Sequence, residues 1–315
     1  MSTNTINRDK RGPIKLGALL DLALRADASL LGMMILEKSI GFLAGPRGGG
    51  KSWLAMIFAY AIAARKPLEP WGTGAGAAVV LLDGEMRAAG VQERLRLLHA
   101  LNTNEESRIL AEANVHIVSR DYMVDHIGSM DTEEGQRRID ELIPESAKFV
   151  VVDNLSAWTS GGREDSGSWA IIKTWLIRKR IQGVAVLLVH HTGKNGQQRG
   201  SSVHEDLLDY SILLSPLPSS SEGHDTRFSI QHTKLRDHIP ELRQTYECSI
   251  WTEGERFQFE ILPAGFNANQ HAAEMVEKYR TGSSMTDIAS ELGISKSTVS
   301  RTLKKLRELM PEPLK

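Results

Sequence analysis

A glycine-rich octapeptide, set between a short apolar run and a helical pattern, is the feature that most constrains how this chain can fold. It runs from Gly45 to Ser52, reads GPRGGGKS, and satisfies G-x-x-x-x-G-K-[ST] at every fixed position. The apolar run Ile40–Ala44 before it is typical of a buried strand, and Lys51–Ala64 after it is typical of a helix packed on a sheet. A glycine-rich loop that precedes Lys-Ser by chance would not need a strand before it or a helix after it. The pattern therefore predicts a strand, a phosphate-binding loop and a helix.

The composition of this loop follows from the chemistry of phosphate binding. Glycines allow successive backbone N–H groups to converge on phosphate oxygens, and the N-terminal end of the next helix adds positive potential. We expect Lys51 to reach the β- and γ-phosphates of ATP, and the Ser52 hydroxyl to hold Mg²⁺. The predicted nucleotide-binding residues are Gly45, Pro46, Arg47, Gly48, Gly49, Gly50, Lys51, Ser52 and Trp53.

Apolar runs alternate with helical patterns from the loop to about residue 214. Strands are predicted at 77–82, 115–118, 149–152, 184–189 and 211–214, and helices at 86–101, 133–142 and 167–181. A helix is also expected within 12–36, and strands at 228–233 and 256–261 are expected to form a hairpin-like extension. The alternation predicts an α/β domain with a mostly parallel sheet.

Acidic residues follow two of these predicted strands. Asp153 ends the run FVVVD and is expected to hold a Mg²⁺-bound water, although many parallel strands end in an aspartate. Hydrolysis also needs a group that orients or deprotonates water, and the residue after Asp153 is Asn154, which is not an acid. Glu85, just after the strand at 77–82, is the candidate base. The alternative is that Asp83 and Glu85 are ordinary polar residues that close a strand.

Two adjacent histidines, His190 and His191, follow the strand at 184–189. A metal site is disfavoured because no cysteine or carboxylate lies nearby at metal-ligand spacing. A polar side chain here is suited to sensing the γ-phosphate by hydrogen bonding. Because successive strand residues face opposite sides, only one of the pair is expected to reach the site. A purely structural role for both is the other interpretation.

Composition excludes several classes of protein. No apolar run reaches the roughly 18 residues that a membrane span needs, and Met1 to Arg11 lacks the apolar stretch of a secretory signal. The single cysteine, Cys248, excludes an intramolecular disulfide and favours a cytoplasmic location. The formal net charge is −1, so any nucleic-acid contact requires a local concentration of positive charge.

The ordered motifs GPRGGGKS, LLDGEM, VVVDN and LLVHHTGK resemble those of RecA-like ATPases, and more narrowly of the RepA-type hexameric helicases of plasmids and other mobile elements. The resemblance covers approximately residues 30–262. It implies a RecA-like P-loop fold, a homo-oligomeric ring that is expected to be a hexamer, and single-stranded DNA as a partner. By match, Glu85 takes the role of catalytic base, Asp153 that of the Walker B acid and His191 that of the sensor.

The chain departs from the RepA-type pattern at the arginine finger. That family carries its finger a few residues after an RGSS segment, present here at 199–202, but this chain then reads Leu-Leu-Asp-Tyr at 207–210. Lys234-Leu235-Arg236 resembles the K-x-R element with which other RecA-like hexamers reach the next subunit. Arg236 is the predicted finger, and a solvated basic turn is the alternative.

The resemblance also predicts two loops that bind single-stranded DNA. They follow the Walker B and sensor strands at 157–167 and 194–202, and they carry Arg163, Lys194 and Arg199. Basic groups on such loops suit contact with phosphates irrespective of sequence. Trp158 is the only evident stacking aromatic there.

Residues 270–310 have a helical pattern, and 285–309 resembles a helix-turn-helix, with Gly293 in the turn and Ser295 as the N-cap of the last helix. Ile294, Val299 and Leu303 are expected to face inward. A basic outer face suits the major groove of duplex DNA, while a small protein-interaction bundle is the alternative. The predicted DNA-contacting residues of the last helix are Lys296, Ser297, Thr298, Arg301 and Lys305.

The sequence thus predicts a RecA-like ATPase domain at 1–262, a linker at 263–269 and a small all-α helix-turn-helix domain at 270–315. The preferred function is an ATP-driven DNA helicase or translocase in the replication of a plasmid, phage or other mobile element. The alternative is a DNA-binding regulatory ATPase that loads or recruits partners without unwinding. Both use the same ATP residues, so these residues do not discriminate between them.

Overall fold

The structure is a computed structural model that describes residues 12–123, 128–160, 166–191, 206–218, 226–253, 256–265 and 268–309. Its strands are β1 Ser29–Leu31, β2 Ile35–Leu36, β3 Ile40–Gly45, β4 Pro67–Leu68, β5 Gly72–Thr73, β6 Ala78–Asp83, β7 Val115–Ser119, β8 Ala147–Asp153, β9 Ala185–His191, β10 Tyr210–Pro216, β11 Thr226–Leu235, β12 Tyr246–Glu253 and β13 Arg256–Pro263. Its α-helices are α1 Leu16–Leu20, α2 Lys51–Ala63, α3 Ala88–Ala100, α4 Glu105–Asn114, α5 Glu133–Glu141, α6 Ser166–Ile181, α7 Ala268–Arg280, α8 Met285–Leu292 and α9 Lys296–Leu309.

The described residues form a central sheet of nine strands in the order β13-β12-β11-β10-β3-β9-β8-β6-β7. The strands from β10 to β7 run parallel, whereas β11, β12 and β13 add an antiparallel extension beyond β10. This arrangement confirms the predicted α/β fold class with a mostly parallel sheet. Two small pairs, β1 with β2 and β4 with β5, lie outside the main sheet.

Each face of the parallel strands packs into its own core, because successive residues of a strand point to opposite sides. Along β8, Phe149 and Val151 belong to the core beneath α2, while Val150 and Val152 belong to the core beneath α6. Helix α2 is apolar around most of its circumference because it contacts the sheet on one side and α3 and α4 on another. A buried helix of this kind fixes the position of the loop that precedes it.

The antiparallel extension differs from the predicted hairpin. Strands β11 and β13 do not pair with each other, because β12 lies between them and pairs with both. The signal for β12 is present in the sequence, since Tyr246, Cys248 and Ile250 alternate with polar residues and are buried. The extension is therefore a three-stranded antiparallel sheet continuous with the parallel one.

Two further differences concern short elements. Helix α4 was not predicted; it begins after Asn104, whose side chain accepts a hydrogen bond from the backbone N–H of Ser107. The helix expected within 12–36 is reduced to α1, because β1 and β2 occupy the end of that range. Gly32 makes their turn with φ of +50°, and an added Cβ there would lie 1.6 Å from the carbonyl oxygen of Trp71.

The C-terminal residues form the three helices expected of a helix-turn-helix domain. Ile288, Ile294, Val299 and Leu303 are buried in its core. Gly293 ends α8 in the left-handed conformation with φ of +64°, and the backbone N–H of Thr298 donates to Ser295 Oγ at 3.0 Å. The domain also packs on the ATPase domain, since Leu262 of β13 contacts its core. The boundary at 263–269 stays a prediction; β13 ends at Pro263 and α7 begins at Ala268.

Among the described residues, no helix is both long enough and apolar enough to cross a membrane.

A buried histidine ties the extension to the segment after α2 and gives the fold a pH dependence. The indole N–H of Trp71 donates to His232 Nε2 at 3.0 Å, which requires that nitrogen to be unprotonated. Burial lowers the pKa of His232 to about 4. An unfolded chain therefore takes up a proton near pH 6.5 that the folded chain refuses until about pH 4, so stability falls as the pH drops through this window.

We expect His232→Gln, which keeps an acceptor for Trp71, to remove this part of the pH dependence. The free energy of unfolding of the unmodified chain should fall by up to about 2 kcal/mol more than that of the variant between pH 7 and pH 5. Urea unfolding at the two pH values measures the difference, and the pH 7 data provide the reference for each protein. Equal losses in both proteins would contradict the assignment.

Candidate nucleotide-binding and catalytic site

The polar residues predicted for ATP chemistry lie at one edge of the sheet, where the parallel strands end. Gly45 of β3 is in register with His191 of β9, and Asp83 of β6 is in register with Asp153 of β8. Strand β9 lies between β3, which leads into the loop, and β8, which carries Asp153. The Ser52 side chain nevertheless lies close enough to Asp153 to act on the pKa of its carboxylate, which it lowers.

The loop between β3 and α2 has the backbone shape of an anion site. Gly48 and Gly50 adopt φ of +71° and +85°, and the N–H of Gly49 donates to the carbonyl of Pro46 at 3.2 Å. Alternation of left- and right-handed residues turns successive N–H groups toward one side. A Cβ on Gly50 would lie 2.2 Å from the ring of Phe228, so this glycine is also required by packing against β11.

Lys51 is buried in this loop and its ammonium group is held by backbone oxygens. Its Nζ donates to the carbonyl of Gly45 at 3.0 Å and to that of Pro46 at 2.6 Å. Burial lowers the pKa of Lys51, and the carboxylates of Asp153 and Glu85 act in the opposite direction. The lysine is thus poised beside the loop with partners that phosphate oxygens can replace.

Two buried carboxylates face each other at the ends of β6 and β8. Asp83 is 3% exposed, and its Oδ2 has no hydrogen-bond partner among the described residues. Burial and the neighbouring carboxylate of Asp153 raise the pKa of Asp83 to about 7, and burial also raises the pKa of Asp153. Such a pair is stabilised by a cation, because two adjacent carboxylates resist joint ionisation without one. Sequence reasoning treated Asp83 only as a possible strand end, although its position in LLDGE is the signal that could have identified it.

Glu85, Asn154 and His191 form a hydrogen-bonded cluster beside this pair. Asn154 Nδ2 donates to Glu85 Oε2 and lies 2.9 Å from His191 Nε2, which is itself 3.2 Å from Glu85 Oε2. Burial and the positive charge of Lys51 lower the pKa of His191. The ring is therefore kept neutral and fit to exchange hydrogen bonds. Asn154 was noted in the sequence only because it is not an acid, but here it orients the candidate base.

The other histidine of the pair points away from this cluster. His190 is buried, and its ring packs edge-on against Phe42 at 5.4 Å between centroids. This agrees with the expectation that only one of the two reaches the site. Among the described residues, no group of three or more potential ligands forms a separate metal site.

The donor set at this edge fits ATP with Mg²⁺. Ser52 and Asp153 are close enough to interact, since the Ser52 side chain acts to lower the pKa of Asp153, and they are the two residues that would hold the ion, through a hydroxyl and a carboxylate oxygen. The loop N–H groups and Lys51 would hold the phosphates. Trp53 is engaged elsewhere: its ring stacks on Phe257 at 5.0 Å, and the guanidinium of Arg94 lies over it at 4.8 Å. A contact between Trp53 and nucleotide stays a prediction.

Arg236, the predicted finger, lies at the opposite edge of its own sheet. Its Nη1 is 2.8 Å from Asp209 Oδ1, and Asp209 also accepts the backbone N–H of Ile40 at 2.8 Å and binds Arg180. Ile40 begins β3, whereas the phosphate loop follows the end of that strand. Arg236 therefore does not reach the phosphate loop of its own chain. That it acts as a finger on the ATP of a neighbouring chain stays a prediction.

The predicted DNA-contacting residues divide into three groups. Arg163, Lys194 and Arg199 lie outside the described residues, as does the side chain of Lys305. Lys296, Ser297 and Arg301 are exposed on α9. Thr298 is 3% exposed and donates to Glu260 of β13, so its prediction as an exposed contact residue is wrong.

The stacking role considered for Trp158 is also wrong. Its ring is fully buried, its N–H donates to the carbonyl of Leu82 at 3.2 Å, and Arg120 covers one face. A side chain fixed on all sides in this way cannot stack on a base.

Comparison with known proteins agrees with this geometry. The AAA domain model matches residues 15–197, which is more than half of the chain. The chain belongs to the AAA domain family. It is accordingly a P-loop ATPase, and nucleotide binding is shared with that family. Residues 270–314 match the homeodomain-like domain, in agreement with the three C-terminal helices.

A KaiC-like protein from the hyperthermophilic archaeon Pyrococcus horikoshii OT3 is similar in structure, with 18% identity and a TM-score of 0.47. The similarity covers 71% of this chain and 90% of that chain. Comparison with curated proteins gave no match.

We expect Glu85→Gln to bind ATP normally and to hydrolyse it about 10²–10⁴-fold more slowly, because the variant keeps the size of the side chain and removes the base. Asn154→Ala should retain the base but lose its orientation, and should therefore reduce turnover less than Glu85→Gln does. Binding of a fluorescent ATP analogue and phosphate release measure the two effects separately. Normal turnover by Glu85→Gln together with none by Asp153→Asn would show that the base is misassigned.

Proposed function

We propose that this AAA family member is an ATP-driven DNA helicase or translocase of the RepA type, working as a homo-oligomeric ring in the replication of a mobile element. The observation that carries the proposal is the cluster of Glu85, Asn154 and His191 beside Lys51, because it supplies a hydrolytic base and not only a nucleotide cradle. The C-terminal homeodomain-like domain supports DNA as the partner.

The residues of this cluster and the phosphate-loop residues beside it each have a role in the proposed hydrolysis. Lys51 exchanges its backbone carbonyl partners for phosphate oxygens and stabilises charge that develops on them. Glu85 accepts a proton from the attacking water, while Asn154 holds its carboxylate in place. His191, neutral and adjacent to Glu85, exchanges hydrogen bonds with the γ-phosphate. Ser52 and Asp153 would hold Mg²⁺, which would supply positive charge to the phosphate oxygens.

One observation favours a second candidate, a DNA-binding regulatory ATPase that does not translocate. Arg236, the candidate for a trans-acting finger, is ion-paired with Asp209 within its own chain. A motor that depends on Arg236 must break this pair in forming the ring. An unwinding assay on forked DNA, run beside ATPase measurements with and without single strands, discriminates between the two functions. ATP hydrolysis without strand displacement would favour the regulatory function.

We expect Lys51→Ala to abolish nucleotide binding or hydrolysis while the fold remains intact. Lys51 faces the phosphate loop and contributes no apolar packing, so thermal unfolding should change little. Lys148→Ala is the matched control, because Lys148 begins β8 at the opposite edge of the sheet and pairs only with Glu37, at 3.5 Å, among the described residues. Near-normal turnover by Lys51→Ala would refute the assignment of the site.

We expect deletion of residues 270–315 to abolish binding to duplex DNA and to spare basal ATPase activity. The helix-turn-helix core lies outside the sheet that carries the ATP residues, although the deletion exposes Leu262. Fluorescence anisotropy with a labelled duplex at matched salt measures the binding. Unchanged duplex affinity would leave the C-terminal domain as an interaction module and would favour partner recruitment.

A further inference from the structure

Part of the outward side of α9, at Thr298 and Arg301, contacts the antiparallel extension of the ATPase domain, while Lys296 and Ser297 are exposed. Arg301 Nη1 lies 3.3 Å from Glu260 Oε1, and the Thr298 hydroxyl donates to the same oxygen at 3.1 Å. The guanidinium of Arg301 also lies over the ring of Trp251, at 5.9 Å from its centroid. Glu260 and Trp251 belong to β13 and β12, which pair directly with each other.

These contacts involve the part of α9 that a duplex would have to reach. Val299 and Leu303 are buried in the core of the helix-turn-helix domain, and Arg301 lies between them in sequence on the opposite side of the helix. A recognition helix enters the major groove with this outer side. Arg301 cannot contact a base edge while its guanidinium is paired with Glu260 and covers Trp251.

We propose that the β12–β13 hairpin is an intramolecular docking surface for α9 that competes with duplex DNA for Arg301. The proposal rests on the proposed binding of duplex by the C-terminal domain. In the docked form, Glu260 occupies the place of a DNA phosphate or base acceptor. Duplex binding therefore requires undocking, and the apparent affinity is reduced by the fraction of molecules that remain docked.

The same hairpin also reaches the phosphate loop from its other face. Phe257 and Glu260 lie on opposite faces of β13; Phe257 stacks on Trp53, next to Ser52, while Glu260 binds α9. A displacement of the hairpin by either domain is thus transmitted to the other through one strand. Since coupling between two binding sites is reciprocal, bound nucleotide should alter duplex affinity through this strand.

The test uses Glu260→Gln in the full chain, with Glu277→Gln as the matched control. Glu277 is exposed on α7 of the same domain, so its substitution removes the same charge and leaves the pair of Glu260 with Arg301 in place. We expect Glu260→Gln to bind a labelled duplex about two- to tenfold more tightly than the unmodified chain, the range expected for a partly exposed ion pair. Glu277→Gln should stay within twofold. The double variant Glu260→Gln with Arg301→Ala should bind duplex no more tightly than Arg301→Ala alone, because the effect of Glu260 acts through Arg301.

Hydrogen exchange without DNA reports docking directly. Glu260→Gln should speed exchange in 256–263 and 296–304, and Glu277→Gln should not. Unchanged exchange and unchanged affinity would overturn the docking proposal while leaving duplex binding intact. A gain in affinity that persists with Arg301→Ala would also overturn it, as a general charge effect. If exchange is faster in Glu260→Gln but no variant binds duplex, the DNA-binding function is refuted. The proposed competition between Glu260 and duplex is then refuted as well. Only the docking contact between α9 and the hairpin would remain.

Discussion

Two carboxylates, those of Asp83 and Asp153, are buried side by side at the ends of adjacent strands, and the rest of the site is arranged around their charge. A buried carboxylate pair is unfavourable unless positive charge compensates it. Lys51, Arg94 and the Ser52 side chain lie close enough to Asp153 to act on its pKa, which all three lower. The two strands are held in register by a fully buried parallel sheet, so the carboxylates cannot move apart. The fold therefore keeps two carboxylates close together, and the binding of Mg²⁺ with nucleotide phosphates would compensate their negative charge.

The need to keep these carboxylates and Lys51 in a fixed arrangement explains why the surrounding elements are so apolar. Helix α2 is buried along nearly all its length, and most of the sheet residues below it are Val, Leu, Ile and Phe. A low-dielectric surrounding strengthens each interaction of Lys51 and Asp153, and it also prevents water from relaxing the geometry. Glu85 differs from the buried pair because its side chain is 48% exposed. A base at the solvent edge can receive water, whereas the buried acids behind it can only hold an ion.

The fold and the phosphate loop were predictable because their residues are local in sequence. Gly45 to Ser52 form one continuous segment, and the strands at 78–83, 147–153 and 185–191 each have an unbroken apolar run. The role of Asn154 was not predictable, because it depends on β6, β8 and β9 meeting at one edge in a particular register. The prediction that Thr298 is exposed was wrong for a related reason. A helical wheel places it near the outer side of α9, and only the contact with Glu260 shows that another domain covers it.

The antiparallel extension is therefore more than an addition to the edge of the parallel sheet. Phe228 of β11 packs against Gly50, so that no side chain fits at this glycine of the phosphate loop, and Phe257 of β13 stacks on the residue after Ser52. On the opposite face, Glu260 and Leu262 contact the helix-turn-helix domain. A strand is stiff along its length and presents alternate residues to its two sides. The same strand therefore contacts both the residue that follows Ser52 and the domain that carries α9.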